Sequence, residues 1–301
     1  MQRTAPGLRT DSAARLAGLG RLRPEWQTWI SLLGVAERAL NDEGWRTPLN
    51  ETELARRVSG SPEDMPLLNG RTLQVDAARI HRLVRGLTST ASAADIEGGE
   101  SLRRYRPSES ETLELISAAV RQEGDELNAL AAEQGVDAGA LASVAHLAAF
   151  PLLQSCGRLL ESRLPASWHH GYCPICAAWP ILAERRGLDR SRRLRCGRCA
   201  AEWEVQWLYC IYCGEREHDR LGSLEPDDRE ETLKVETCDT CRGYLKSIAS
   251  LQGFPAFELL LQDLETVEFD LVALDRGYCR PLKNGFALDI QIVGHASRRD
   301  L

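Results

Sequence analysis

The sequence predicts a multi-domain α+β protein, with an all-α helical N-terminal domain followed by two four-cysteine metal ribbon modules. Up to about residue 165, apolar residues recur at helical spacing. Beyond that point, eight of the ten cysteines form four Cys-x-x-Cys pairs between Cys173 and Cys241. With 301 residues, of which 43% are hydrophobic, the chain is long enough for more than one core.

Four stretches carry the helical prediction: 25–40, 76–87, 108–130 and 138–160. Each places Leu, Ile, Val or Trp side chains along one face, which favours the packed core of a helix bundle. Ser108 and Glu111 are spaced as a capping box, so we expect a helix to begin there. Pro151 lies inside the last stretch and should kink or split its helix.

The pattern changes after Pro165. Residues 202–208 alternate apolar and polar side chains, which predicts a half-buried strand. Residues 254–289 contain a helical run, and a closing strand is expected near 287–293. We therefore expect an α-helical domain over 1–165, a first ribbon module over 166–208 and a second module with a helix and strand extension over 209–301.

The cysteine pairs predict two metal sites. Two cysteines separated by two residues can turn both sulfurs toward one metal, and two such pairs complete a tetrahedral site. Consecutive pairing needs only local loop closure and is favoured, while crossed pairing remains open. The predicted ligands are Cys173, Cys176, Cys196 and Cys199 for one site, and Cys210, Cys213, Cys238 and Cys241 for the other. Four sulfurs suit zinc and iron alike, and on ligand chemistry alone zinc is favoured.

The residue after the second cysteine of such a turn often needs a positive φ. Gly214 adopts one without strain, whereas Ala177 and Ala200 would each lose about 1 kcal/mol. This difference predicts that the first site holds its metal more loosely. Cys156 and Cys279, outside the pairs, are expected to pack in the core.

Charge and motifs narrow the function. A net charge of −7 disfavours general nucleic-acid binding. Seven arginines between Arg185 and Arg198 are expected to form a solvated hairpin tip or, alternatively, a basic surface for an acidic partner or for phosphates. The chain has no phosphate-binding glycine loop, nucleophile elbow or zinc-protease helix, so we do not expect an enzyme. The N-terminus has no apolar signal segment, and the apolar run 140–153 is too short to span a bilayer. We therefore expect a cytoplasmic protein with reduced cysteines and no membrane insertion.

Several strings resemble the formate dehydrogenase accessory proteins of the FdhE type. They are His-His-Gly-Tyr-Cys-Pro-Ile-Cys at 169–176, Leu-Arg-Cys-Gly-Arg-Cys-Ala-Ala-Glu-Trp at 194–203, Cys-Ile-Tyr-Cys-Gly at 210–214 and, most specifically, Glu-Thr-Cys-Asp-Thr-Cys-Arg-Gly-Tyr-Leu-Lys at 236–246. Asp263, Asp270 and residues 277–281 extend the likeness. Ala177 departs from the pattern, which has glycine there.

The resemblance implies a helical domain followed by two rubredoxin-like modules. It also implies a cytoplasmic, noncatalytic factor that binds the molybdenum-containing catalytic subunit of formate dehydrogenase and is required for its activity. Two iron ions, one at each four-cysteine site, are implied, with zinc as the alternative. A rubredoxin-like electron-transfer protein is the second hypothesis and a zinc-ribbon nucleic-acid binder the third, and a homo-oligomer is possible.

Overall fold

The computed structural model describes residues 12–45, 48–55, 64–93, 97–225 and 232–295. The N-terminal residues on which the absence of a signal segment was argued lie outside these ranges. Seven α-helices are present among the described residues up to 165, which confirms the helical N-terminal region. They are α1 (Ser12–Leu22), α2 (Gln27–Leu40), α3 (Glu51–Ala55), α4 (Ala77–Ala93), α5 (Glu109–Arg121), α6 (Gly124–Gln134) and α7 (Ala138–Leu160).

Local sequence signals set the ends of these helices. The Ser108 side chain accepts a hydrogen bond from the Glu111 backbone N–H, and the Glu111 carboxylate accepts one from the Ser108 N–H. The predicted capping box is therefore confirmed at the start of α5. Asp137 caps α7 through a bond from the Ala140 N–H. Gly135 ends α6 in the left-handed conformation that glycine adopts most easily.

Helix α7 forms the centre of the helical core. It runs unbroken for 23 residues with Pro151 inside it, so the proline does not split the helix. It packs against α2, α4, α5 and α6. The apolar run is longer than the sequence suggested: residues Ala138–Arg163 have the length and hydropathy of a membrane span, but 72% of the apolar window is buried within the protein. Helix α7 is apolar because it lies in the core of the helical region.

One strand in the N-terminal region was not predicted. Strand β1 (Arg71–Asp76) pairs in parallel with β8 (Ile290–His295) near the end of the chain. The closing strand expected near 287–293 thus exists, but its partner lies in the helical region. Helical periodicity could not show β1, because a six-residue strand owes its existence to a partner more than 200 residues away.

The remaining strands form one six-stranded sheet with the order β4-β3-β2-β7-β6-β5. Its strands are β2 (Leu182–Arg186), β3 (Ser191–Arg195), β4 (Glu202–Glu204), β5 (Leu221–Leu224), β6 (Leu233–Cys238) and β7 (Tyr244–Ser250). The strand predicted over 202–208 is therefore shorter than expected. Strands β2 and β7 pair in parallel, while the other neighbours are antiparallel. This β2–β7 pairing joins the two cysteine ribbons edge to edge, and the division at 208/209 stays a prediction. Helices α8 (Ala256–Glu265) and α9 (Val267–Asp275) follow.

Candidate metal centres

The structure brings the eight cysteines together in two groups of four. The first cluster comprises Cys173, Cys176, Cys196 and Cys199, and the second cluster comprises Cys210, Cys213, Cys238 and Cys241. Within each cluster all four sulfurs lie within 4.8 Å of one another. Consecutive pairing is therefore the arrangement present, and crossed pairing is not.

The sulfur positions fit a tetrahedral metal. Metal–sulfur bonds of about 2.3 Å give a tetrahedron with edges of about 3.8 Å. In the first cluster the Sγ–Sγ distance is 3.5 Å for Cys173 and Cys199 and also for Cys176 and Cys196. The distances between cross-ribbon partners of the second cluster are 3.6 and 3.7 Å. These spacings are too long for disulfides and suit a four-thiolate cage that can hold one metal ion.

Tight turns orient the sulfurs. In the first cluster the backbone N–H of Ile175 donates to Cys173 Sγ at 3.4 Å, and that of Arg198 donates to Cys196 Sγ at 3.4 Å. Each turn closes through backbone bonds such as Ala177 N–H to the Cys173 carbonyl, at 3.0 Å. Such N–H donors stabilise thiolate charge and thereby tune a bound metal.

All four turns require a left-handed residue after the second cysteine. The φ values are 63° at Ala177, 62° at Ala200, 80° at Gly214 and 57° at Arg242. The predicted strain at both alanines of the first cluster is therefore present, but the second cluster also has a non-glycine residue at this position. There the Arg242 guanidinium stacks on the Tyr278 ring at 3.9 Å, a contact that helps to hold the turn.

The first cluster is sealed between the helical region and the sheet. Its four cysteines are at most 2% exposed. The N–H groups of Leu67 and Leu68 donate to the carbonyls of Pro174 and Ile175 at 2.8 and 3.0 Å. On the other side α7 approaches so closely that a Cβ added to Gly157 would lie 2.0 Å from the Cys199 carbonyl oxygen. The first cluster thus fastens the sheet to the helices.

The second cluster is open on one side. Cys213 is exposed and Cys241 is half-buried, whereas Cys210 and Cys238 are buried. Solvent access therefore belongs to the second cluster, whereas the left-handed alanines belong to the first. Which cluster holds its metal more loosely stays a prediction, and burial now argues for the second cluster. Of the remaining cysteines, Cys156 is buried as expected, but Cys279 is exposed.

The thiol pKa values differ within each cluster. Burial, followed by interactions with neighbouring cysteines, raises the pKa of Cys173 and of Cys199 well above the usual range. Burial also opposes ionisation of Cys196, but hydrogen bonds from the three other thiols outweigh it and hold the Cys196 pKa well below that range. In the second cluster burial raises the pKa of Cys241 to about 11. Four buried thiolates need a cation to neutralise them, and this is the chemistry of a metal site.

The arginines between Arg185 and Arg198 do not form a free basic surface. Arg186 bridges Glu184 and Glu202 at 2.8 and 2.9 Å, and Arg192 binds Glu236 at 2.6 Å. The other contacts are Arg193 with Glu202 and Glu204, Arg195 with Glu184, and Arg198 with the Ala119 and Val120 carbonyls at the end of α5. Arg185 is 4% exposed. These arginines make ion pairs and hydrogen bonds within the protein. The main support for nucleic-acid binding, a free basic surface, is therefore removed.

The charged residues in the resemblance strings form a second network, whose structural role the sequence did not reveal. Lys246 is completely buried, and its Nζ lies 2.6 Å from both Asp263 Oδ1 and Asp270 Oδ2. Arg280 binds the same two carboxylates at 3.4 and 3.0 Å. The Tyr244 hydroxyl donates to Asp270 at 2.8 Å. These contacts hold α8 and α9 against β7, beside the second cluster.

Comparison with known proteins agrees with this architecture. The family model for the C-terminal domain of FdhE matches residues 208–287. A Protein FdhE homolog from Stutzerimonas stutzeri is 36% identical over 115 residues, which are 37% of each chain. A homolog from Rhizobium meliloti is 25% identical over 269 residues, covering 88% of this chain and 79% of its own. Protein FdhE of Escherichia coli is 33% identical over 120 residues, 38% of this chain and 37% of its own.

A solved structure has the same fold. The crystal structure of the FdhE protein from Pseudomonas aeruginosa superposes with a TM-score of 0.58 and 21% identity, covering 94% of this chain and 96% of that one. At this identity the likeness establishes the fold alone. The sequence matches to the Stutzerimonas and Escherichia proteins span little more than a third of those relatives. The family match over residues 208–287 contains the second cluster. Residues 208–287 thus match the C-terminal domain of the FdhE family, and the chain as a whole is similar to FdhE proteins in sequence and in fold.

Proposed function

We propose that this protein is a cytoplasmic, noncatalytic accessory factor that binds the molybdenum-containing catalytic subunit of formate dehydrogenase and is required for its activity. The observation that carries the proposal is the match of residues 208–287 to the C-terminal domain of FdhE, since this segment contains all four cysteines of the second cluster. The burial of α7 in the helical core is in keeping with a protein that works outside the membrane.

The eight paired cysteines are the proposed metal ligands, with one iron ion in each cluster and zinc as the alternative. The sulfur spacing accommodates either metal. Iron held by four thiolates is a one-electron centre, whereas zinc only fixes the fold. The support for iron is the family resemblance.

The two clusters have different proposed roles. The first is closed on all sides and holds the helical region to the sheet, so its role is structural. The second exposes Cys213 to solvent and therefore can meet a partner protein. The same exposure favours the second candidate function, an electron-transfer protein, because electron exchange requires a centre near the surface.

A pull-down with metal analysis tests the first proposal. Tagged protein is purified without oxygen from cells that make formate dehydrogenase. We expect co-purification of the catalytic subunit and two iron ions per chain. Cys196→Ser and Cys238→Ser should lose metal and reduce both capture and activation of the enzyme, while Cys279→Ser, an exposed cysteine outside the clusters, should behave as wild type. Full activation by a metal-free Cys196→Ser/Cys238→Ser variant rejects the proposal.

Redox titration separates the second candidate from the first. An electron carrier must cycle its iron between two oxidation states, so the iron-loaded protein should bleach on reduction and recover its colour on reoxidation. Iron that cannot be reduced reversibly excludes electron transfer and leaves the assembly role intact.

A further inference from the structure

A channel of about 620 Å³ runs beside strand β4, and the proposed metal chemistry does not use it. One wall is residues 202–206, which comprise β4 and the two residues after it. The opposite wall is residues 164–169, the segment that leads from the end of α7 toward the first cluster. Sequence reasoning missed the channel because its walls come from separate parts of the chain.

Strand β4 is an edge of the six-stranded sheet, with β3 as its single neighbour. Val205 donates its N–H to the Arg192 carbonyl, and the Ala201 carbonyl accepts from the Cys196 N–H. In an antiparallel pair these inward-facing residues alternate with outward-facing ones. The backbone N–H and C=O groups of Glu202 and Glu204 therefore point away from β3, on the open edge of the strand whose residues line the channel. Within the described ranges no backbone group bonds to them, so the edge can accept another strand.

The channel is lined by aromatic rings. Trp168 is buried on the wall formed by 164–169, Trp203 is buried in β4, and Tyr209 lies half-buried beside them. These rings offer apolar surface to alternate side chains of an added strand, which point to opposite faces.

The charges at the channel favour an acidic ligand. The Glu202 and Glu204 carboxylates are already bound by Arg193, at 3.5 and 3.1 Å. Arg216 is exposed and stacks over the Tyr209 ring at 5.3 Å. Among the described residues, no carboxylate lies within ion-pair distance of Arg216. Its guanidinium thus remains available to a carboxylate of the ligand.

We propose that this channel binds an extended segment of the client polypeptide, which adds to the edge of β4 as a further strand. The segment carries an acidic side chain that pairs with Arg216, flanked by apolar side chains that pack on Trp168 and Tyr209. Backbone bonds to Glu202 and Glu204 give affinity, and the side-chain contacts give selectivity. This inference rests on the proposed function, because it takes the client to be the catalytic subunit of formate dehydrogenase.

Glu204→Pro tests strand addition directly. Proline removes the outward N–H of residue 204, which β3 does not use, and its ring blocks the edge. The matched control Glu204→Ala loses the same side chain but keeps the N–H. Arg216→Glu tests the charge contact, with Arg220→Glu as its control on an exposed arginine outside the channel.

The probes are overlapping 12-residue peptides that cover the catalytic subunit, with binding followed by fluorescence anisotropy, and the intact subunit in a capture assay. We expect wild type to bind a small set of acidic, apolar peptides. Glu204→Pro should weaken them at least tenfold through lost backbone bonds, and Arg216→Glu at least fivefold, while both controls stay within twofold. Metal content and circular dichroism establish that each variant is folded, and if Glu204→Pro is not, Arg216→Glu decides.

Three outcomes overturn the inference. The first is equal peptide binding by Glu204→Pro and wild type. The second is that no peptide binds although the intact subunit is still captured. The third is self-association of the protein that Glu204→Pro abolishes, because the occupant of the channel is then a second copy of the chain. The first two leave the proposed function standing. Failure of wild type to capture the intact subunit counts against the proposed function itself.

Discussion

Lys246 provides a sharp test of how the sheet is held to the C-terminal helices. Its side chain is completely buried, yet it carries a charge that contacts two carboxylates at 2.6 Å. Lys246→Met keeps the length and much of the volume of the side chain but removes that charge. Asp263 and Asp270 then face each other with Arg280 as their remaining cation.

The expected cost follows from burial. Removal of one partner from a buried ion pair costs about 3–5 kcal/mol, because the other charge is left uncompensated. The Asp263 and Asp270 side chains are 30% and 18% exposed, so water and Arg280 still stabilise them in part. We therefore expect a loss near the lower end, about 3 kcal/mol of unfolding free energy.

Urea unfolding of the metal-loaded protein, followed by circular dichroism, measures this loss. The comparison requires that the dependence of the unfolding free energy on urea concentration be the same in wild type and variant. Lys234→Met is the matched control on the neighbouring strand. Lys234 lies over the Trp207 ring at 5.6 Å, and its loss should cost less than about 1 kcal/mol. Adding Asp270→Asn to Lys246→Met should recover part of the stability by removing an uncompensated carboxylate. A cost below about 1 kcal/mol for Lys246→Met would refute the reasoning.

Four further predictions concern the helices, the clusters and acid stability. Ser108→Ala should lower the unfolding free energy by about 1 kcal/mol through loss of the capping box, and an unchanged urea midpoint would contradict this. Gly157→Ala should cost about 1–3 kcal/mol and weaken metal retention, because its methyl group would collide with the Cys199 carbonyl. Gly18→Ala, in α1, has open space and should be neutral or stabilise by up to about 1 kcal/mol, so equal effects of the two changes would count against the α7 contact. A chelator should remove the metal ion of the exposed second cluster first and that of the buried first cluster more slowly. Release of both metal ions in a single kinetic phase would contradict this prediction. Burial opposes ionisation of Glu202, but its arginine neighbours lower its pKa below the ordinary 4.5. The ion pairs of Glu202 therefore stabilise the folded protein above pH 4.5, and this contribution is lost as the pH falls through the lowered pKa. Glu202→Gln should remove that contribution and flatten the curve of unfolding free energy against pH in the acid range.

The sequence alone identified the cysteine turns and the α5 cap, whose geometry is local. Spacing of two residues between cysteines fixes a turn that aims both sulfurs at one point, so the eight cysteines of the two clusters could be named in advance. The capping box at Ser108 was predictable for the same reason, since its two hydrogen bonds span three residues. The need for a left-handed residue after each pair also followed from the turn itself.

Features that depend on distant partners were decided only by the tertiary structure. Strand β1 required β8, and the two ribbons became one sheet through the parallel pairing of β2 with β7. In the sequence the arginines between Arg185 and Arg198 suggest a basic surface. In the folded protein Glu184, Glu202 and Glu236 form ion pairs with them.

The difference between the two clusters shows the same division. Their cysteine spacing is alike, but α7 and the segment at Leu67 cover the first cluster, while Cys213 in the second remains exposed. The sequence determined which atoms can bind a metal, because that depends on residues two positions apart. Burial depends on what the rest of the chain places nearby, and so only the folded structure decided which cluster is closed and which is open to solvent.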